Sequence, residues 1–185
     1  MMIDKLLVQA AISDMRKYFE DDNGKFSETR DIFTARLYSY IQKTERYLEA
    51  AIIGEIGNNT FDHNFGFISN NPRGAYCNFA YKQKYTLLAD YGKGLKQSLS
   101  SVLPSIISDL EAIEIAFTKR ISGRSPEQRG NGLKFVSESI QQNNWNLFFQ
   151  SGSASCSIDR TDITFLEETT SLPGCMLIIN FKEDK

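Results

Sequence analysis

A chain of 185 residues is about one domain long, since domains usually run to roughly 100–200 residues. Hydrophobic residues make up 41 % and charged residues 24 %, which argues against a disordered or coiled-coil composition. Lysine and arginine total 21 against 23 acidic residues, a net charge of −2 with no basic stripe, so the excess that nucleic-acid backbones attract is missing.

In chain order, residues 2–20 place Ile3, Leu6, Leu7, Ala10, Ala11, Met15, Tyr18 and Phe19 three and four apart, which predicts an amphipathic helix. Asp21-Asp22-Asn23-Gly24 ends it. Ser27 is expected to cap a second helix carrying Phe33, Leu37, Tyr40 and Ile41. A third runs from near Thr44 through Leu48, Ala51, Ile52 and Ile56 to about His63. Residues 66–74 are turn chemistry. The period then changes, and 76–81 and 85–89 read as two strands. Residues 98–104 read as loop. Ser108 and Glu111 form a capping box that opens a helix through Phe117. A polar stretch, 121–128, leads to a helix over 131–141, and strands over 145–150, 154–158 and 176–181 close the chain. The expected fold is α+β, a two-layer sandwich with a mixed, mostly antiparallel sheet and helices on one face. Residues 1–43 would form a helical extension, either a dimer interface or a cover for the open side of the sheet.

Scarce residues narrow the chemistry. One histidine, His63, excludes a histidine-rich metal site and leaves any Ser/His or Cys/His catalysis a single position. Cys77, Cys156 and Cys175 are odd in number and far apart, which argues against a zinc ribbon or redox pair and fits a reducing cytosol. No stretch of about 18 apolar residues occurs, and the N-terminus is a poor signal peptide. The expectation is a cytoplasmic protein without membrane or nucleic-acid partners.

Three short patterns carry chemistry. In Glu55-Ile-Gly-Asn-Asn59-Thr-Phe-Asp-His63, residues four apart share one helical stripe, about 6 Å apart along the axis. A carboxylate, an amide oxygen and an imidazole in line can orient a water, hold a hard cation and touch an anion. A plain solvated helix face is the alternative. Asp90-Tyr91-Gly92-Lys93-Gly94 places an acceptor at a strand end, followed by backbone that a flat group can approach. A simple strand-to-loop turn would look the same. Arg129-Gly130-Asn131-Gly132-Leu133 opens a helix, whose free N–H groups and dipole suit an anion. It is neither a Walker loop nor a Rossmann fingerprint.

In this order and spacing, the set resembles the GHKL superfamily, the ATP-binding (Bergerat) fold shared by DNA gyrase, large heat-shock chaperones, mismatch-repair ATPases and histidine kinases. The first pattern is similar to its N box, the second and third to its two glycine boxes, and Pro173–Phe181 to its last core strand. The resemblance spans about 44–181, and it implies one ATP-binding domain over 1–185, with ATP and Mg²⁺ as ligands. It implies Glu55 as general base, Asn59 as Mg²⁺ ligand and Asp90 as acceptor from the adenine amino group. Gly92 and Gly94 would let backbone pass near the nucleotide; Gly130, Gly132 and the Leu133 N–H would cradle phosphates beside Arg129. His63 would be a ligand contact or a capping or core residue.

Two departures stand out. Cys175 occupies a position where relatives often carry threonine, which would weaken the hydrogen bonding at adenine. The segment 95–129 between the glycine boxes has little glycine, and Arg120, Arg124 or Arg129 would reach a γ-phosphate or remain solvated. The chain ends soon after its last strand, which speaks against gyrase or repair machines, and its single histidine excludes autophosphorylation on another histidine. The nearest kin in type are small anti-sigma-factor serine kinases. The implied function is a regulatory ATPase or serine/threonine protein kinase acting on a protein partner, anti-anti-sigma-like or response-regulator-like, with a homodimer left open. The alternatives are a nucleotide-gated binding module and a histidine kinase catalytic domain acting in trans.

Overall fold

Thr86-Leu87-Leu88-Ala89 is apolar without full alternation, the pattern of a strand buried on both faces. In the computed structural model it is the centre of the sheet. Residues 3, 5–20, 25–64, 74–79, 81, 85–101, 103–119 and 132–181 are described, with backbone alone for 13–16 and 18–20. They form α1 (Lys5–Glu20), β1 (Phe26–Ser27), α2 (Arg30–Thr44), α3 (Tyr47–His63), β2 (Ala75–Asn78) and β3 (Tyr85–Asp90). There follow α4 (Gly94–Ser100), α5 (Asp109–Thr118), α6 (Gly132–Gln142), β4 (Asn146–Ile158) and β5 (Ile163–Asn180). The fold is α+β. Among the described residues the sheet has five strands in the order β1-β2-β3-β5-β4, every pairing antiparallel.

Successive strand residues feed two cores. Leu88, Phe149, Leu177 and Ile179 join Phe33, Ile52, Ile53, Ile113, Val136 and Ile140 in the main core beneath the helices. Leu87, Ala89, Phe148, Met176 and Ile178 point the other way and meet Val8 and Ala11 of α1. The N-terminal helix therefore covers the reverse face of the sheet, and α2 packs against α3 on the front. Gly57 makes the second contact close, because a Cβ there would lie 2.1 Å from the Phe33 ring. No helix of the described residues is long and apolar enough to cross a membrane.

Four local expectations change. Ser27 does not cap α2. It lies in β1, where Arg36 donates to its hydroxyl at 2.9 Å, and the cap is Thr29, whose Oγ1 accepts from the Ile32 N–H. The stretch read as loop from 98 is partly helix: Ser98 and Ser100 turn their hydroxyls back onto the Gly94 and Lys96 carbonyls, so their polarity is spent inside α4. The strands expected over 145–150 and 154–158 are one strand, β4, with register shifts between Ser151 and Ala154. Asp109 holds that irregularity by accepting from the Ser153 N–H and hydroxyl, both at 2.9 Å. The final strand begins at Ile163 rather than 176. The cap is present in a shifted form: the Ser108 hydroxyl accepts from Glu111 N at 3.0 Å, while the Glu111 carboxylate accepts from the N–H of Ile107, one residue before the cap. Residues 21–24, most of 66–74, and 121–128 lie outside the described residues.

Candidate functional site

The 17-residue helix α3 has one apolar side, with Ile52, Ile53 and Ile56 in the core, and one polar side turned to a cavity of about 570 Å³. Glu55, Asn59 and His63 line this cavity, as one helical stripe requires. The sheet floor supplies Leu88, Asp90, Cys175 and Leu177, and α4 supplies Gly94, Leu95 and Leu99. The start of α6 supplies Gly132 and Leu133, with Phe135 one turn on. Thus Glu55, Asn59, His63, Asp90, Gly94, Gly132, Leu133 and Cys175, which lie far apart in sequence, meet in one space. Arg129 and Gly130 lie outside the described residues, as do Arg120 and Arg124.

Asp90 is the most constrained of these residues. It ends β3, directly opposite Cys175 of β5. Its Oδ1 accepts from the Gly92 N–H at 2.7 Å and from Asn64 Nδ2 at 3.4 Å; Oδ2 accepts from the Thr60 hydroxyl at 3.2 Å. Burial raises its pKa above the ordinary value of 3.8, while the Gly92, Thr60, Asn64 and Cys175 donors pull it down.

The glycines have separate reasons. Gly94 has φ +74°, left-handed backbone that favours glycine, and starts α4 beneath the cavity. Gly132 sits against Glu55: a Cβ there would lie 2.0 Å from the Glu55 carboxylate. The contact brings an exposed carboxylate to the first turn of α6, where N–H groups without intrahelical partners collect. Gly92 does not line the cavity. The Asn64 amide fills the place its Cβ would take, at 2.0 Å.

Burial, and after it the charge of Lys93, lower the His63 pKa from its ordinary value of 6.5. The Cys175 thiol is pushed far above its ordinary range by burial and by Asp90, and it donates to the Ser151 hydroxyl at 3.5 Å. Ser151 also accepts from the Leu95 N–H at 2.9 Å and donates to the Gly174 carbonyl at 3.0 Å, tying β4, β5 and α4 together.

Thr60, Asn64, Ser151 and the Arg30–Asp62 ion pair, which also lines the cavity, are absent from the sequence reading. Thr60 and Asn64 carry a readable signal, since they stand four apart on a stripe neighbouring that of Asn59 and His63. Ser151 and Arg30 carry none: each reaches the site only through the tertiary fold.

No family model matches this chain, and no curated protein matches it significantly. Among solved structures it is similar to the 43K ATPase domain of Thermus thermophilus gyrase B, in complex with an aminocoumarin. The identity is 13 %, the TM-score 0.37, and the match covers 71 % of this chain and 33 % of that one. The chain thus spans about a third of the length of that solved structure.

Proposed function

We propose that this chain is an ATP·Mg²⁺-binding protein of the GHKL type, a single ATP-binding domain over 1–185, and that the cavity under α3 is its nucleotide site. The observation that carries the reading is the meeting of a buried Asp90, held by hydrogen bonds from Gly92 and Thr60, with Glu55, Asn59 and the first turn of α6 in one cavity. Asp90 accepts the hydrogen bond of the adenine amino group, over the apolar floor of Leu88 and Leu177. The α6 N-terminus takes the phosphates.

The donor set fits magnesium. No cluster of three His, Cys, Asp or Glu side chains occurs among the described residues, so a bound ion would draw its remaining ligands from phosphates and water. Asn59 gives an amide oxygen, and beside it Asn58 lines the cavity with a buried Oδ1 that has no donor. When bound, the ion offsets phosphate charge.

In its finer form the proposal is a cytosolic regulatory kinase acting on a protein partner. Glu55, exposed at the cavity wall, takes the proton of an attacking serine or threonine hydroxyl. The hydroxyl oxygen bonds to the γ-phosphorus as the bond to the ADP oxygen breaks. The three free thiols accord with a reducing compartment.

Calorimetry with Mg·ATP and Mg·ADP tests the core of this reading. Micromolar binding by the wild type, weakened at least about tenfold in Asp90→Asn, is the expected result. No binding of either nucleotide overturns it. For the finer form, label from γ-labelled ATP should reach a co-encoded partner and be abolished by Glu55→Ala. ATP binding with neither transfer nor hydrolysis would instead establish the nucleotide-gated binder.

A further inference from the structure

Base recognition depends on where the Asp90 carboxylate points, and that depends on what holds it. Gly92 N and Thr60 hold it from its own turn and from α3. Asn64, the C-cap position of α3, adds a longer contact that also reaches the next turn. Its Nδ2 donates to Asp90 Oδ1 at 3.4 Å, and its Oδ1 accepts from the Lys93 N–H at 2.9 Å. One amide thus spans the end of α3, the end of β3 and the turn before α4. It sits so close to Gly92 that a Cβ on that residue would overlap all three atoms of the amide group, at 2.0–2.3 Å.

We propose that Asn64 is the specificity-positioning residue of this site: its amide fixes the Asp90 carboxylate and the 91–93 turn in the one orientation that accepts an exocyclic amino group. Gly92 is glycine to admit that amide. The inference rests on the ATP reading and adds the residue that sets base selectivity.

The geometry leads to a coupling. Removing the amide opens the space that a Cβ at 92 needs, so the damage of Gly92→Ala should vanish when Asn64 is already alanine. Contacting residues of this kind give non-additive effects, whereas independent ones add.

The experiment uses the full chain as wild type, Asn64→Ala, Gly92→Ala and the double variant. Binding of Mg·ATP and of Mg·ITP, whose base carries a carbonyl in place of the amino group, is measured by competition with a fluorescent ATP analogue. Thermal midpoints of the unliganded proteins give the coupling. Asn64→Ala should cut the ATP-to-ITP preference about tenfold, the loss of one well-aligned hydrogen bond to a charged group. A structural defect alone would weaken both nucleotides equally and leave the ratio unchanged. Gly92→Ala should lower the midpoint in the wild type by several times what it does in the Asn64→Ala background. If Gly92→Ala alone fails to fold, recovery of the double variant makes the same point.

An unchanged ATP-to-ITP ratio in an Asn64→Ala protein that binds ATP overturns the inference and leaves the ATP reading standing. Additive midpoints overturn the link to Gly92. A wild type that binds neither nucleotide overturns both the reading and the inference.

Discussion

Asp90 has its native pKa raised by burial, and the shift acts on stability and on binding with opposite slopes. For stability, a carboxyl whose pKa is raised on folding favours the native state in its protonated form. Its contribution is fully present below the ordinary value of 3.8 and is lost as pH rises through the elevated native value. For binding, the proposed site uses the carboxylate as acceptor, so ATP affinity should fall as pH drops through that same elevated value. We expect the acid limb of the ATP-binding profile to lie above the range of an ordinary aspartate, and Asp90→Asn to abolish that limb. Calorimetry across an acidic pH series, compared with thermal midpoints of the unliganded protein, checks both slopes. Glu55, Asn59, His63 and Asp90 were legible because one helical stripe and one strand end suffice to name them. Thr60 and Asn64 stand on the adjoining stripe, but their task of holding the Asp90 carboxylate exists only once β3 stands beside α3.

At the scale of elements, the apolar periods of α1, α3 and α6 and the capping box of α5 were readable, since local hydrogen bonds and one buried stripe determine them. Replacing Ser108 by alanine should cost about 1 kcal/mol, the usual value of an N-cap. That corresponds to a midpoint lower by roughly 2–4 °C for a chain of this size, measurable by calorimetric melting. Elements whose pairing is long-range escaped. β1 has two residues, too short for any pattern. The outer half of β5 alternates exposed and half-buried residues, and its Pro173-Gly174 pair reads as a break. Pairing with β4 carries the strand through that break, with Gly174 at φ +77° tucked against the Asp90 carbonyl.

Across the whole molecule, the sheet is buried on both sides, by the α2–α6 layer in front and by α1 behind. The sequence leaves residues 1–43 as either a dimer surface or a cover, because an amphipathic stripe does not name what it meets. The described side chains Val8 and Ala11 lie in one buried cluster with Leu87, Phe148 and Met176, as a cover would, and the non-alternating run in β3 was the one trace of a second buried face. Ala11 is 2 % exposed in that seat. Replacing it by aspartate buries a charge and should cost roughly 3 kcal/mol, seen as a lower urea midpoint together with a gain in dye-reporting apolar surface. Nucleotide affinity of the folded fraction should stay at the wild-type value, because the cavity opens on the opposite face.

The contacts at Gly92 and Gly132 bear on how this chain's descent can be read. Neither glycine is held bare by a ligand: the Asn64 amide stands over one and the Glu55 carboxylate over the other. A Cβ at 92 would still meet the hydrogen-bonded Asn64 amide in a descendant that abandoned its ligand, whereas at 132 it would meet the end of the exposed Glu55 side chain, which can swing aside. Retention of Gly92 in a divergent lineage is therefore weak testimony for an inherited ligand, and its joint replacement with Asn64 is the mark that the site has been let go.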